Sequence, residues 1–350
     1  MTRRLHLHIG PRKTGTTFLQ NAMVEGEAAL RAAGLSYPQR GVTGALGLNH
    51  EAALLDASSP TPGSRASAVR VALNGTKTDV VLSGEAVATL TPSAAARLAS
   101  YLDVASIHVI ITARAISRVL PSTWQQGVRN GRLATFTTFL DSTVRHDEQR
   151  MAQPDTWQED PTQDFWRSQS IAELAVRWRG VCDDATVVTV PMDDGSPTTL
   201  WRRFLTALGL DPSMHPDLEA VAPAPRHEGI SASEALLLRE IMVQLDQRGM
   251  AIDERGWWAR RLVNDVFRQR SSRGPRLTLP PEHWTKAAQW AARDADALQA
   301  LVASDRIRLV GDVSDLRVPA TPPTPAADGL LTGNIADLGG WCLAYLQGAR

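Results

Sequence analysis

A short apolar run, Leu5-His6-Leu7-His8-Ile9, stops at Gly10, and a helical pattern opens six residues later at Thr16. A buried strand that turns at once into a helix begins a strand-helix-strand unit, and that unit commits the chain to a parallel sheet. The turn, Gly10-Pro11-Arg12-Lys13-Thr14-Gly15-Thr16-Thr17, has a second consequence. Backbone N–H groups converge at such a turn in front of the positive end of the helix dipole, so it binds an anion. Gly10 and Gly15 allow the close backbone approach and positive φ that this requires.

In the phosphate loop of nucleotide triphosphatases, G-x-x-x-x-G-K-[ST], the lysine follows the second glycine and reaches the terminal phosphates. Here Thr16 occupies that position and Lys13 sits inside the loop. Lys13 is therefore expected beside the inner phosphate and the bond being broken. Thr16 and Thr17 add hydroxyls at the first helical turn. The run Pro11 to Gln20 resembles the 5′-phosphosulfate loop of sulfotransferases that use 3′-phosphoadenosine 5′-phosphosulfate. That family usually shows Pro-Lys-[Ser/Thr]-Gly-Thr-Thr, so either Arg12 is an insertion between Pro11 and Lys13 or the proline is shifted.

A second element supports the resemblance. The apolar strand Ile107-His108-Val109-Ile110-Ile111 leads into Thr112-Ala113-Arg114, and Ser122 follows eight positions after Arg114. The family's 3′-phosphate site pairs an arginine at such a strand end with a serine at this spacing. Arginine offers a permanently charged fork to phosphate oxygens, and a serine two helical turns on can donate to the same group. The ordinary alternatives are a surface arginine at a strand end and a helix serine bonded back to its own backbone. The usual Arg-Asn-Pro or Arg-Asp-Pro is replaced here by Arg114-Ala115-Ile116.

Strands and helices alternate along the first two hundred residues. Strands are expected at Asp79–Ser83, Ile107–Thr112 and Thr186–Val190, with a helix from about Thr16 through Arg31 ending near Gly34. From Ser196 the pattern turns helical: Pro197–Leu208, Ser231–Arg248 opened by the capping box Ser231-x-x-Glu234, Gly256–Arg270 and Pro281–Val302. Ala152 to Trp166 reads as a loop or lid, or as a surface excursion capped by packed tryptophans. The fold class is α/β, a parallel sheet with helices on both faces and a helical C-terminal part at about 196–303. The resemblance makes residues 1–318 one sulfotransferase-like domain. Pro319 to Ala327 is a Pro/Thr linker, and 328–350 a tail whose apolar residues could dock as a helix or contact a partner.

The 350 residues carry 37 Lys plus Arg against 37 Asp plus Glu, so no global field favours nucleic acid or an anionic membrane. Anion binding has to be local. Cys182 and Cys342 fit no metal or disulfide spacing, and no apolar run approaches the roughly 18 residues of a membrane span. With Met-Thr-Arg-Arg directly before the first strand, a cytoplasmic location is the expectation.

The resemblance implies transfer of a sulfuryl group from 3′-phosphoadenosine 5′-phosphosulfate to a hydroxyl or amine of an acceptor such as a carbohydrate or another natural product. It resembles the bacterial members more than the animal cytosolic group. Arg12, Lys13, Thr14, Gly15, Thr16 and Thr17 would hold the 5′ end of the donor, and Arg114 and Ser122 the 3′-phosphate. Ser271-Ser272-Arg273-Gly274 faintly matches the loop that completes the 3′ site, which adds Arg273. Lys13 would stabilise the leaving bridging oxygen, and no metal ion is required. A base is still needed for the acceptor. Glu85, just after the second strand, and His50, ahead of it, are the candidates, with Ser83 a helper. The other readings are a kinase-like enzyme on the same loop and sheet, and a catalytically silent nucleotide-binding or interaction module. Nothing in the sequence speaks for an oligomer.

Overall fold

The computed structural model describes residues 3–38, 49–192, 197–221, 229–269 and 274–319, together with Pro322 and Cys342. Among the described residues six strands form one sheet: β1 (Arg4–His8), β2 (Leu35–Ser36), β3 (Asp79–Ser83), β4 (Ser106–Ala113), β5 (Asp184–Thr189) and β6 (Arg308–Val310). Their order is β2-β3-β1-β4-β5-β6, and every neighbouring pair is parallel. Register is set at the centre, where Leu5 lies opposite Val80 on one side and Ile107 on the other.

Because side chains alternate along a strand, the sheet presents two different faces. Leu5, Leu7, Ile9, Val80, Leu82, Val109 and Ile111 enter one core, which the helices His50–Ala57, Ala66–Asn74, Pro92–Leu102 and Ile171–Arg179 cover. Val81, Ile110 and Val188 enter the other, against Leu19 and Met23 of the helix Thr16–Glu25 and Trp201 and Phe204 of the helix Pro197–Ala207. The same alternation sends His6, His8, Ser83, His108, Thr112 and Thr186 to this second face, where all six are buried. A polar group out of water needs a partner, and these find one another. His6 Nδ1 lies 3.0 Å from His108 Nδ1, and His108 Nε2 lies 2.8 Å from Thr186 Oγ1.

The residues group into two compact units. One comprises Met1–Ile116, His146–Arg226 and Gln289–Val318 and contains the sheet; the other comprises Ser117–Arg145, His227–Ala288 and Pro319–Arg350. Within the second, the helix Ala232–Gln247 carries the expected capping box between Ser231 and Glu234. Trp124 packs against Phe136 there, with the ring centres 5.3 Å apart. The helical stretch expected from about residue 196 divides between the two units.

Several boundaries differ from the expectations. The first helix breaks at Gly26, which caps Thr16–Glu25 and opens Glu27–Ala32, in keeping with glycine's weak helix propensity. The helix expected from Gly256 begins at Ile252, where Asp253 and Glu254 favour the positive end of the dipole. Strands β2 and β6, of two and three residues, are too short to leave a periodic signal. Of residues 152–166, Ala152 ends one helix and Asp164–Trp166 open another, with two 3₁₀ turns between, Trp157–Glu159 and Pro161–Gln163, pinned down from several sides. Arg167 donates to the carbonyls of Thr89, Gln158 and Asp160, and Glu159 accepts from Ser93. Trp157 and Trp166 are buried, and the Arg150 guanidinium lies 5.3 Å and 4.8 Å from their ring centres. This is the packed excursion. The Pro/Thr linker and the 328–350 tail fall almost wholly outside the described residues. Among the described residues no helix is long and apolar enough to cross a membrane.

Candidate functional site

The chain leaves β1 with Ile9 N–H bonded to the Ile110 carbonyl, turns through residues 10–15, and enters the helix Thr16–Glu25. Lys13 at φ 73° and Gly15 at φ 90° take the left-handed conformation, and Thr14 lies between them. Such reversals aim consecutive N–H groups into one concavity. No side chain caps the helix, and its first turn begins with Leu19 N–H on the Gly15 carbonyl. The amides of the first turn are thus presented at the loop.

The loop's own threonines hold its shape. Thr14 is fully buried, its hydroxyl 2.6 Å from the Pro11 carbonyl and 2.7 Å from Thr112 Oγ1. Thr16 is buried too and donates to the Gly10 carbonyl at 3.2 Å. Of the two helix-opening threonines, Thr17 is the exposed one.

Beneath the loop lies His8, with no exposed surface. Its Nδ1 is 2.9 Å from Ser83 Oγ at the end of β3, and its Nε2 is 3.3 Å from Thr112 Oγ1 near the end of β4. Gln20 donates to the same Ser83 hydroxyl at 3.1 Å. One imidazole therefore ties three strand ends together, and through Thr112 it reaches Thr14 of the loop. Burial pushes the His8 pKa down to about 3, so the ring is neutral. A methyl at Gly10 would meet Thr112 Oγ1, His8 Nε2 and Thr16 Oγ1 at 2.1, 2.6 and 2.9 Å; only glycine fits over this network.

Arg114, just past β4, donates Nη1 to the Lys13 carbonyl at 3.2 Å. Gln169 Nε2 donates to the Arg12 carbonyl at 3.2 Å. Arg12 thus gives its backbone to Gln169 while its side chain is exposed. Arg114 also lines a cavity of about 140 Å³ with Trp166, Gln169, Arg293 and Asp294. Glu85 follows β3, half-buried. Burial and then Glu51 raise its pKa, while Lys13 and then Arg12 lower it, which puts the two loop cations within electrostatic reach of the carboxylate.

A second cavity, about 310 Å³, opens beside the loop. Thr17 and Gln20 of the first helix, Ser83 and Glu85 after β3, and Asn49, His50 and Glu51 at the start of the helix His50–Ala57 line it with Tyr37. Lys13, Glu85 and the His50 segment are thereby gathered at one end of the sheet, beyond the carboxyl ends of β1 and β3. Ligands of open parallel sheets bind at that end, where the strand order reverses. Here the order reverses at β1, which has β3 on one side and β4 on the other.

His50 is buried and fully engaged. Its Nδ1 accepts from Ser83 N–H at 3.0 Å, so Nε2 carries the proton and donates to the Pro38 carbonyl at 2.8 Å. Burial lowers its pKa to about 4. Neither nitrogen offers a lone pair to an acceptor in this arrangement. Ser122 falls in the second unit, and its hydroxyl donates to the Arg118 carbonyl 2.9 Å away on its own helix. Arg273 lies outside the described residues. Sequence reasoning missed His8, Thr112, Gln20, Glu51 and Gln169. For His8 a signal was present: in Leu5-His6-Leu7-His8-Ile9 the polar residues alternate with the apolar ones.

No family model matches the chain, and no curated protein is similar to it. Among solved structures, the chain is similar to a sulfotransferase from Alicyclobacillus acidocaldarius at 12% identity and a TM-score of 0.44. The likeness covers 87% of this chain and 97% of that one.

Proposed function

We propose that this protein transfers a sulfuryl group from 3′-phosphoadenosine 5′-phosphosulfate to an acceptor hydroxyl. The observation that carries the reading is Lys13. It stands inside the anion-binding turn at positive φ, its carbonyl is held by Arg114, and its charge is felt by Glu85. In this reading the loop amides and Thr17 hold the 5′-phosphate, and Arg114 holds the 3′-phosphate.

The acceptor oxygen attacks sulfur and its proton passes to Glu85. The bond from sulfur to the bridging oxygen breaks, and its electron pair stays on the phosphate of adenosine 3′,5′-bisphosphate. Negative charge grows on that bridging oxygen, so Lys13 interacts more strongly with the transition state than with the bound donor. A carboxylate with a raised pKa is the better proton acceptor near neutrality. Glu85 is preferred to His50 as base because both imidazole nitrogens of His50 are already bonded.

Thermal shift with adenosine 3′,5′-bisphosphate, ATP with magnesium, and AMP tests the donor. A ligand at a hundred times its Kd stabilises by about 2.7 kcal/mol, and the bisphosphate is expected to stabilise most. Selective stabilisation by ATP with magnesium would overturn the reading. Lys13→Ala is expected to lower kcat at least a hundredfold with a smaller change in bisphosphate affinity. Unchanged transfer by that variant refutes the role of Lys13.

A further inference from the structure

We infer that the cavity beside the loop is built for a hydroxyl-rich acceptor that carries no anionic group, such as an uncharged glycoside. The inference rests on the donor reading only for which side of the loop faces the acceptor.

None of the described residues that line this cavity has an aliphatic side chain. The one large ring, Tyr37, is itself buried and packs on His50 at 4.8 Å. Sites for phenols or other flat apolar molecules are lined mostly by hydrophobic side chains with a few polar groups. Here the proportions are reversed.

The polar groups are also fixed in place. Gln20 Nε2 is held on Ser83 Oγ, Asn49 Oδ1 accepts from Ala52 N–H at 3.1 Å, and Glu51 Oε2 accepts from Ala86 N–H at 3.1 Å. Each anchor uses one function of a group that has several, since a carboxamide both donates and accepts and a carboxylate has about four lone-pair positions. Such a set meets several hydroxyls at once without ordering cost. An apolar occupant would bury the remaining functions of these groups without partners, which opposes its binding.

Charge gives the second half of the argument. The lining contains Glu51 and Glu85, and among its described residues there is no Lys or Arg. The nearby cations, Arg12 and Lys13, belong to the loop. Glu51 already raises the pKa of Glu85, so a third carboxylate or a sulfate would add repulsion.

The test is direct binding to the full chain, by titration calorimetry or saturation-transfer NMR, with and without adenosine 3′,5′-bisphosphate. The probes are methyl glucoside, glucuronate and 4-nitrophenol. The glucoside is expected to bind at least tenfold more tightly than either of the others. Glu51→Gln keeps an oxygen for Ala86 N–H and is expected to narrow the gap between glucoside and glucuronate severalfold, with an unchanged melting temperature confirming the fold. Absent glucoside binding, or glucuronate or nitrophenol binding as tightly, overturns the inference. Bisphosphate binding without glucoside binding defeats this inference alone, whereas glucoside binding without bisphosphate binding defeats the donor reading alone.

Discussion

Gly10→Ala gives the sharpest test of the packing beneath the loop. The added methyl would stand 2.1 Å from Thr112 Oγ1, 2.6 Å from His8 Nε2 and 2.9 Å from Thr16 Oγ1. None of these atoms is the end of a long, mobile side chain. Thr112 is held by Thr14 and His8, and His8 by Ser83. Overpacking of a tight interior costs about 1–3 kcal/mol, and displacing one or two buried hydrogen bonds adds roughly 0.5–1.5 kcal/mol each. The expected loss is about 1.5–6 kcal/mol, read as the change in unfolding free energy from urea titration. The mechanism is isolated by adding Thr112→Ala, which removes the 2.1 Å contact. The double variant should then lose at least about 1 kcal/mol less than the sum of the single ones, because residues in contact couple. A Gly10→Ala protein within about 0.5 kcal/mol of the parent, or strict additivity, refutes the reasoning.

Three further outcomes are expected. His6, His8, His50 and His108 are buried and held well below the usual imidazole pKa, at about 4, 3, 4 and 3, in each case chiefly by burial. The unfolded chain therefore binds more protons below about pH 6.5, at roughly 1.4 kcal/mol per group and pH unit. Stability is fully present above pH 6.5 and falls by several kcal/mol by pH 5; a flat melting temperature between pH 7.5 and 5 refutes this. Asp147 is buried and accepts from Arg150 Nε at 2.8 Å, Arg293 Nη2 at 2.9 Å and Trp290 Nε1 at 2.6 Å. Asp147→Ala removes a partner of the buried Arg150 and is expected to cost about 3–5 kcal/mol in urea unfolding; a loss under 1 kcal/mol refutes the ion cluster's weight. Arg114→Ala removes both the support of the Lys13 carbonyl and the charge proposed for the 3′-phosphate. Bisphosphate affinity is expected to fall roughly 10–100-fold and AMP affinity far less; equal losses leave only the loop support.

Strands β3, β4 and β5 were legible because each is a run rich in β-branched residues with clear ends. Asp79–Ser83 holds to the residue, and β4 differs from its expected span by one residue at either end. The edge strands Leu35–Ser36 and Arg308–Val310 were not, since their pairing comes from neighbours distant in sequence. Lys13 and Arg114 could be singled out from local motifs, and the structure joins them by one backbone hydrogen bond. Glu51 and Gln169 carry no local signal. They enter because helices packed far along the chain bring them to the loop. His8 is an intermediate case: its alternation was visible, but its partners Ser83 and Thr112 lie 75 and 104 residues away.

The threonines of the loop change how its chemistry is understood. A string of Thr14, Thr16 and Thr17 invites the reading that three hydroxyls surround a phosphate. Thr14 and Thr16 are instead buried, with their hydroxyls on the loop's own carbonyls and on Thr112. What remains for an anion is the amides, Thr17 and the side chain of Lys13. Holding Lys13 at φ 73° costs on the order of 1–3 kcal/mol for a residue other than glycine. That strain is sustained by the Thr14 bonds on one side and by Arg114 on the other. In the proposed donor site the inward hydroxyls would act on the anion indirectly, by holding the loop backbone in the conformation that Lys13 takes at positive φ.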